Sequence, residues 1–407
     1  MQNVNIGSEP FIEKLRRIAF ALIAVGALGL GATFALDGQQ RAVADYLVGF
    51  WYFAGISITM LFFSALQFLT RSGWSAGIRR IAENFAGMVP FLIVFLIPII
   101  LNMMGPSSIY EWTLPEAKHD KLIMVKEAYL NIPAFGVRML LYCGLWFWMA
   151  RFVIGNSVKQ DGTDDITPTR KNWKRSAPWV LVYALTITFA SFDLMMSLEP
   201  HWFSTIWGVY AFSSHFVAAL AVLTLVVVGL RDAGLLKNYI RDEHFHDMGK
   251  LMFAFSVFWA YIGFSQYFII WYANIPEETV YFTTRMTGTP WAAFGYLLMI
   301  FRFVLPFLLL LRQDVKRKRI MLIVAACIIL VSHFVDIVWI VMPAVGKLMA
   351  HTGDAEHGYP FLFSWQEFTG VLFFAGVFLF FAVNQFKTRN AVAVKDPLLQ
   401  ESFEYHS

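Results

Sequence analysis

Ten stretches of nearly unbroken apolar sequence, most of them 19 to 26 residues long, dictate what this chain can become. They are residues 18–36, 46–69, 86–105, 132–154, 177–197, 206–230, 249–273, 289–311, 320–343 and 361–386. A helix rises about 1.5 Å per residue, so about 20 apolar residues match the roughly 30 Å hydrocarbon thickness of a bilayer. The pattern predicts an all-α integral membrane protein with ten transmembrane helices. Composition points the same way, since 58% of the 407 residues are hydrophobic and only 15% are charged, against about 25% charged in soluble domains. A disordered chain and a disulfide-stapled secreted domain are excluded. So is a nucleic-acid binder, because the net charge is only +4 and the basic residues fall in short scattered clusters.

Charge sorts the connections between the runs. The N-tail, 70–85, 155–176, 231–248, 312–319 and the C-tail together hold 22 Lys and Arg, while the alternate connections hold 6. The positive-inside rule then places both termini in the cytoplasm, as an even number of spans requires. Trp51, Trp112, Trp202, Trp207, Trp271, Trp291 and Trp365 fall near the outer boundary, where indole rings suit the headgroup level, and interfacial anchoring is their simplest role. The acidic and basic lead Glu9, Glu13, Lys14, Arg16 and Arg17 runs into the first apolar stretch without a small-residue cleavage site, so that stretch is read as a helix rather than a cleaved signal.

The order of landmarks repeats. The fourth run carries Arg138 and the eighth carries Arg302; each leads into a strongly basic connection, and each is followed by a run with an acid in its outer half, Asp193 and Asp336. Two four-helix bundles related by a parallel repeat, runs 2–5 and 6–9, are expected, flanked by runs 1 and 10. This divides the chain into 1–45 (N-tail and first helix), 46–197 and 198–343 (the two bundles), and 344–407 (outer loop, last helix and C-tail). Outer connections 106–131, 274–288 and 344–360 are long enough to dock other subunits, although solvation is the default role of their acids Glu111, Glu116, Glu277 and Glu278.

Chemistry is to be sought among the few ionisable groups inside the runs, because a charge near mid-bilayer costs on the order of 3 kcal/mol or more and must face protein or water. The candidates are Arg138, Asp193, His215, Arg302, His333, Asp336 and Glu367. His333 and Asp336 are three residues apart and share a helix face, where an imidazole and a carboxylate can pass a proton directly or through water. Counting about 1.5 Å per residue places His215 and His333 roughly 15 Å deep and the two acids shallower, as in a half-channel open to the outside. Asp193, His333, Asp336 and His215 are thus proton-relay candidates, with Arg138 and Arg302 as buried charge partners. Each has a plainer role: a snorkelling Arg138, an ion-paired Arg302, a hydrogen-bonded packing His215. The similar depths of the two histidines also permit a bis-histidine haem b, although small residues that would admit a porphyrin are not conspicuous. The Phe373-Phe374 and Phe378–Phe381 runs read as lipid-facing or packing surface.

Cys143 and Cys327 lie far apart inside apolar runs, with no CxxC or CxxCH. A c-type haem, an iron–sulfur cluster or a structural zinc site built from this chain alone is excluded, and any electron carrier must belong to a partner.

Two segments carry a more specific likeness. Ser191–Tyr210, reading SFDLMMSLEPHWFSTIWGVY, resembles the junction between the fifth and sixth helices of the two large membrane subunits of bacterial alternative complex III. Those subunits belong to the polysulfide-reductase-like (NrfD-like) membrane anchors. Phe264–Thr279, reading FSQYFIIWYANIPEET, is similar to that family's exit from the seventh helix. With ten spans and the doubled four-helix order, the likeness covers nearly the whole chain, and modest length and short tails resemble the F-type more than the C-type subunit. The resemblance implies a respiratory quinol:electron-acceptor oxidoreductase that oxidises menaquinol. In it, haem-c and iron–sulfur subunits on the outer side pass electrons toward a cytochrome c or an oxygen reductase. This chain would bind no redox cofactor, and in that family the C-type homologue is the better-supported place for the quinol site, with no quinone-binding residue assigned here. A secondary transporter is the rival reading, since transporters also use repeats and buried charges, and Pro90, Pro98 and Pro306 interrupt runs here.

Overall fold

A computed structural model describes residues 9–287, 289–351 and 363–405. Among these the chain is helix, turn and irregular segment, with no strand. The α-helices run α1 (Glu9–Leu69), α2 (Arg79–Phe85), α3 (Leu92–Met103), α4 (Lys121–Val125), α5 (Ile132–Asp161), α6 (Thr167–Leu194), α7 (Trp207–Asp232) and α8 (Asp242–Ala273). They continue as α9 (Pro276–Met286), α10 (Ala292–Leu298), α11 (Leu305–Leu311), α12 (Gln313–Lys316), α13 (Arg319–His351), α14 (Glu367–Thr388) and α15 (Leu399–Glu404). Among the described residues, nine helical stretches are long and apolar enough to cross a membrane. The all-α, multi-pass reading of the sequence therefore stands.

The difference from ten lies in α1, which contains the first two apolar runs. Its one non-helical residue is Gly38, at φ 87° and ψ 177°, a backbone state that costs glycine little and other residues much. The direction of the chain reverses there. Along α14 in ascending order, Thr369, Phe373 and Gly376 meet Gly29, Gly26 and Ala19 of the first half of α1 in descending order, while Gly370, Phe374 and Phe378 meet Gly49, Phe50 and Phe53 of the second half in ascending order. The loop expected over 37–45 is thus a tight reversal between two helices. Residues 361–362 of the last run, and 352–360 of the last outer connection, lie outside the described residues.

Close backbone approach fixes α14 against α1. A Cβ on Gly370 would stand 1.9 Å from the Asp45 carbonyl oxygen, and one on Gly49 would stand 2.2 Å from that of Gly370. In lipid, where apolar contact alone gives little preference between helix and tail, small residues that let backbones touch are the usual seam. Phe374 and Phe378 are buried there against Tyr46, Phe50, Phe53 and Phe85, so these members of the Phe-rich runs are packing residues.

The connections gather at two ends, as their alternating charge anticipates. At one end His201 meets Asp120 at 2.7 Å, Arg285 pairs with Glu199 at 2.8 Å, and Trp202 stacks on Tyr281 with centroids 4.1 Å apart. At the other end the chain's last segment is packed rather than trailing. Ala391, Val392 and Leu399 are buried, the Asp396 carboxylate pairs with Arg79, and Ser402 donates to the Trp74 carbonyl and contacts His244 at 3.0 Å. Arg79 and Arg80, counted from sequence as solvated loop charges, are buried among Glu83, Asp161 and Asp396. The apolar count began the third run at residue 86, but α2 already starts at Arg79 because Glu83 one turn on, with Asp161 and Asp396 from far along the chain, allows both guanidinium groups inside.

The aromatic boundary also differs. Trp51, Trp112, Trp202, Trp207 and Trp291 are buried, and only Trp271 and Trp365 of the seven are exposed. Position near a helix end does not reveal which way a ring faces, and five of these rings face protein.

Candidate functional site: two buried arginine–carboxylate pairs

Charged groups inside an apolar assembly must find partners, and Arg138 and Arg302 find Asp193 and Asp336. Arg138 on α5 reaches Asp193 near the end of α6 in a forked arrangement: Nε lies 3.1 and 3.0 Å from the two carboxylate oxygens, and Nη2 lies 2.8 Å from Oδ1. The Tyr142 hydroxyl donates to the same carboxylate at 3.0 Å, and the guanidinium lies 3.8 Å from the centroid of Tyr129. Tyr142 stands four residues after Arg138, hence one turn along the same face. Asp193 is buried, whereas the Arg138 side chain keeps 17% of its exposure. This pair is bidentate and partly open on its arginine side.

The second pair is closed. Arg302 and Asp336 are both buried, with Nη1 3.1 Å from Oδ2, and the guanidinium lies 4.5 Å from the ring centroid of Trp259. Asp336 also accepts from the Tyr210 hydroxyl and, at 3.2 Å, from Ser214 Oγ. Each acid therefore takes one arginine and one tyrosine, though in the second case the tyrosine comes from α7 instead of the arginine's own helix. Arg302 sits in a π-helical turn, Met299–Val304, that leads into α11. Pro306 has no N–H to give the residue four before it, which is Arg302, and its ring crowds that carbonyl. A widened turn relieves this and turns the arginine inward.

The same guanidinium organises the two histidines. Arg302 Nη2 lies 2.9 Å from His333 Nδ1, and His333 Nε2 lies 3.2 Å from His215 Nδ1. Arginine is only a donor, so His333 Nδ1 accepts, its proton sits on Nε2, and that proton points at His215 Nδ1. His215 must then carry its own proton on Nε2, an atom buried without a hydrogen-bond partner among the described residues. His215 and Asp336 line a cavity of about 10 Å³ together with Trp51, Tyr210 and Ser214. A volume of that size admits a single water at most, so this cavity is not itself the water-filled half-channel expected from residue depth.

Residue spacing alone paired His333 with Asp336. They do share a face of α13, but Ser214 and Arg302 stand between them: Ser214 Oγ is 3.1 Å from His333 Nδ1 and 3.2 Å from Asp336 Oδ2. The direct partner of His333 is His215. That contact also removes the bis-histidine haem b, because imidazole nitrogens 3.2 Å apart leave no place for an iron and its porphyrin between them. Room for the His215 ring comes from Gly55 on α1, where a Cβ would stand 2.1 Å from the imidazole Cε1.

Glu367 lies apart from this network, at the start of α14. It is buried and pairs with Arg41, which is also 3.6 Å from Asp45. Tyr142, Tyr210, Ser214, Trp259 and Gly55 are the site residues sequence reasoning missed. Tyr210 and Ser214, four apart beside His215, carried a visible signal, since polar groups on one face of an otherwise apolar helix need a partner. Of the cysteines, Cys143 is buried and Cys327 is exposed.

No protein-family model matches the chain, and no curated protein matches it.

Proposed function

We propose that this chain is a membrane subunit, without a redox centre of its own, of a bacterial respiratory complex that oxidises menaquinol, and that it serves as scaffold and proton path. The observation that carries the proton path is the oriented series Arg302, His333, His215 inside a membrane-spanning assembly. A buried ionisable group in lipid is costly, and four such groups joined through hydrogen bonds exceed what packing alone needs. In the arrangement described, Arg302 blocks His333 Nδ1. Passage of a proton through the imidazole requires the guanidinium to withdraw toward Asp336, so that Nδ1 takes a proton from a water while Nε2 releases one to His215 Nδ1, and His215 in turn gives its Nε2 proton to a second water. Arg302 is then the gate and Asp336 its rest.

The finer architecture belongs to the same reading: two four-helix bundles, runs 2–5 and 6–9, in parallel repeat, flanked by the first and last helices, with both termini cytoplasmic in a bacterial inner membrane. The recurrence of an arginine paired with a carboxylate, Arg138 with Asp193 and Arg302 with Asp336, supports it. So does the resemblance of 191–210 and 264–279 to the membrane subunits of alternative complex III, of F type in length. The partners would be the C-type homologue, which holds the quinol site, and haem-c and iron–sulfur subunits, with an oxygen reductase downstream.

A secondary transporter is the second reading, favoured by the helix interruptions at Ala86–Phe91, a 3-10 segment containing Pro90, and at the π turn Met299–Val304. Affinity purification of the tagged native chain in mild detergent, with mass spectrometry of what accompanies it, separates the two. Multihaem c and iron–sulfur subunits in fixed ratio support the respiratory reading. A stable chain that purifies alone contradicts it and directs attention to solute uptake.

A further inference from the structure

A groove at the end of the assembly, outside the buried pairs, combines three features. Its volume is about 260 Å³, and it is lined by Lys126, Tyr129, Phe192, Met196, Trp202 and Phe203 among others. Of its lining residues, Val125 and Phe203 are exposed, Val125 by 84%. The groove also lies where α5 begins and α6 ends, at the border of the apolar spans. Exposed aliphatic side chains at that level, in a chain that crosses a membrane, face acyl chains and headgroups rather than bulk water.

Lys126 supplies the polar contact. Its ammonium donates to the Pro200 carbonyl and lies 5.6 Å from the Phe203 ring centroid. An ammonium has three N–H donors, so one such bond leaves two for a ligand. No carboxylate lines the groove, so Lys126 gives it a net preference for an anionic headgroup, and a choline or ethanolamine cation would find only cation–π contact with its aromatic rings. The volume is a little under the roughly 300–1,000 Å³ of pockets that enclose a small molecule, and suits part of a lipid rather than a whole one.

We propose that this groove binds one anionic phospholipid, with its phosphate on Lys126 and one acyl chain against Tyr129, Phe192, Met196 and Trp202. The bound lipid would rest on the supports of the first ion pair. Ser197 lines the groove and donates to the Asp193 carbonyl, and Tyr129 lies under the Arg138 guanidinium.

The test uses the full chain in mild detergent, titrated separately with phosphatidylglycerol and phosphatidylcholine, with bound lipids counted by native mass spectrometry. One phosphatidylglycerol should bind the wild type. Its affinity should fall about tenfold in Lys126→Gln and return in Lys126→Arg, with phosphatidylcholine weak throughout. Equal phosphatidylglycerol affinity in wild type and Lys126→Gln overturns the proposal, as does equal affinity for the two lipids. If Lys126→Gln does not fold, Val125→Glu places an acid at the exposed rim and should weaken phosphatidylglycerol alone; unchanged binding contradicts the proposal. A groove that takes up no phosphatidylglycerol, and that hydrogen exchange finds protected only when other subunits co-purify, belongs to a protein partner and overturns it too.

Discussion

His333 Nε2 lies 3.2 Å from His215 Nδ1, and the guanidinium behind His333 sets the direction of that hydrogen bond. Because Arg302 can only donate, both histidines are held as the Nε2–H tautomer. Solid-state NMR of the 15N-histidine-labelled chain should show unprotonated Nδ1 and protonated Nε2 for both residues. In Arg302→Met the constraint disappears, and a mixture of tautomers at His333 is expected. A protonated Nδ1 on His333 in the wild type contradicts the assigned direction.

The closed pair should cost more to break than the open one. Arg302→Met leaves Asp336 buried without its charge partner, a loss of about 3–5 kcal/mol. Arg138→Met should cost less, because Arg138 is partly exposed whereas both members of the Arg302–Asp336 pair are buried. Adding Asp336→Leu to Arg302→Met should recover much of the loss, since an apolar pair of similar volume replaces buried charges at little cost. Thermal unfolding of the single and double variants in detergent measures the ranking; equal losses for Arg138→Met and Arg302→Met would contradict it.

Gly55 holds space for the His215 ring. Gly55→Ala puts a methyl group 2.1 Å from the imidazole Cε1, and forcing apart a packed contact of this kind costs about 1–3 kcal/mol. The Nδ1 atom of His215 should move away from His333, visible as a changed 15N shift. Gly144, whose Cβ would meet nothing within 4 Å, provides the control: Gly144→Ala should not lower stability and should leave both histidine signals unchanged.

At the end of the assembly, pH acts through Asp120. The hydrogen bond from His201 holds its carboxyl below the usual aspartate value, with help from the backbone N–H groups of Ile123 and Leu122. The contribution of this contact is fully present above the ordinary aspartate pKa of 3.8 and is lost as pH falls through the lower folded value. Hydrogen exchange over 106–131, after correction for intrinsic rates, should rise only once the pH has fallen below the ordinary aspartate value. In His201→Ala the rise should come at higher pH; an identical profile would remove His201 as the cause.

What the sequence makes legible is what depends on local composition. The apolar runs, the alternation of charge between connections and the six in-run groups later found in two clusters can all be read from spacing. What it hides depends on partners far along the chain. Arg79 looks like a loop cation until Asp396, 317 residues away, is seen beside it. His215 looks like a lone packing histidine until Gly55 and His333 come from α1 and α13 to meet it. Gly38 looks like one residue of an outer loop, although its positive φ alone replaces that loop. The buried indoles show the same limit, since a helix end fixes the depth of Trp207 but not the face it presents.

The central claim is that the Arg302–Asp336–His333–His215 network carries protons coupled to quinol oxidation. The most direct measurement is the proton-to-electron ratio of the purified complex in sealed liposomes, comparing wild type with Asp336→Asn, and with Asp193→Asn as its repeat counterpart. The account predicts that both variants assemble with all subunits and oxidise menaquinol, with a lower proton ratio in Asp336→Asn. A ratio and turnover equal to wild type in both variants would contradict it and leave this chain a scaffold.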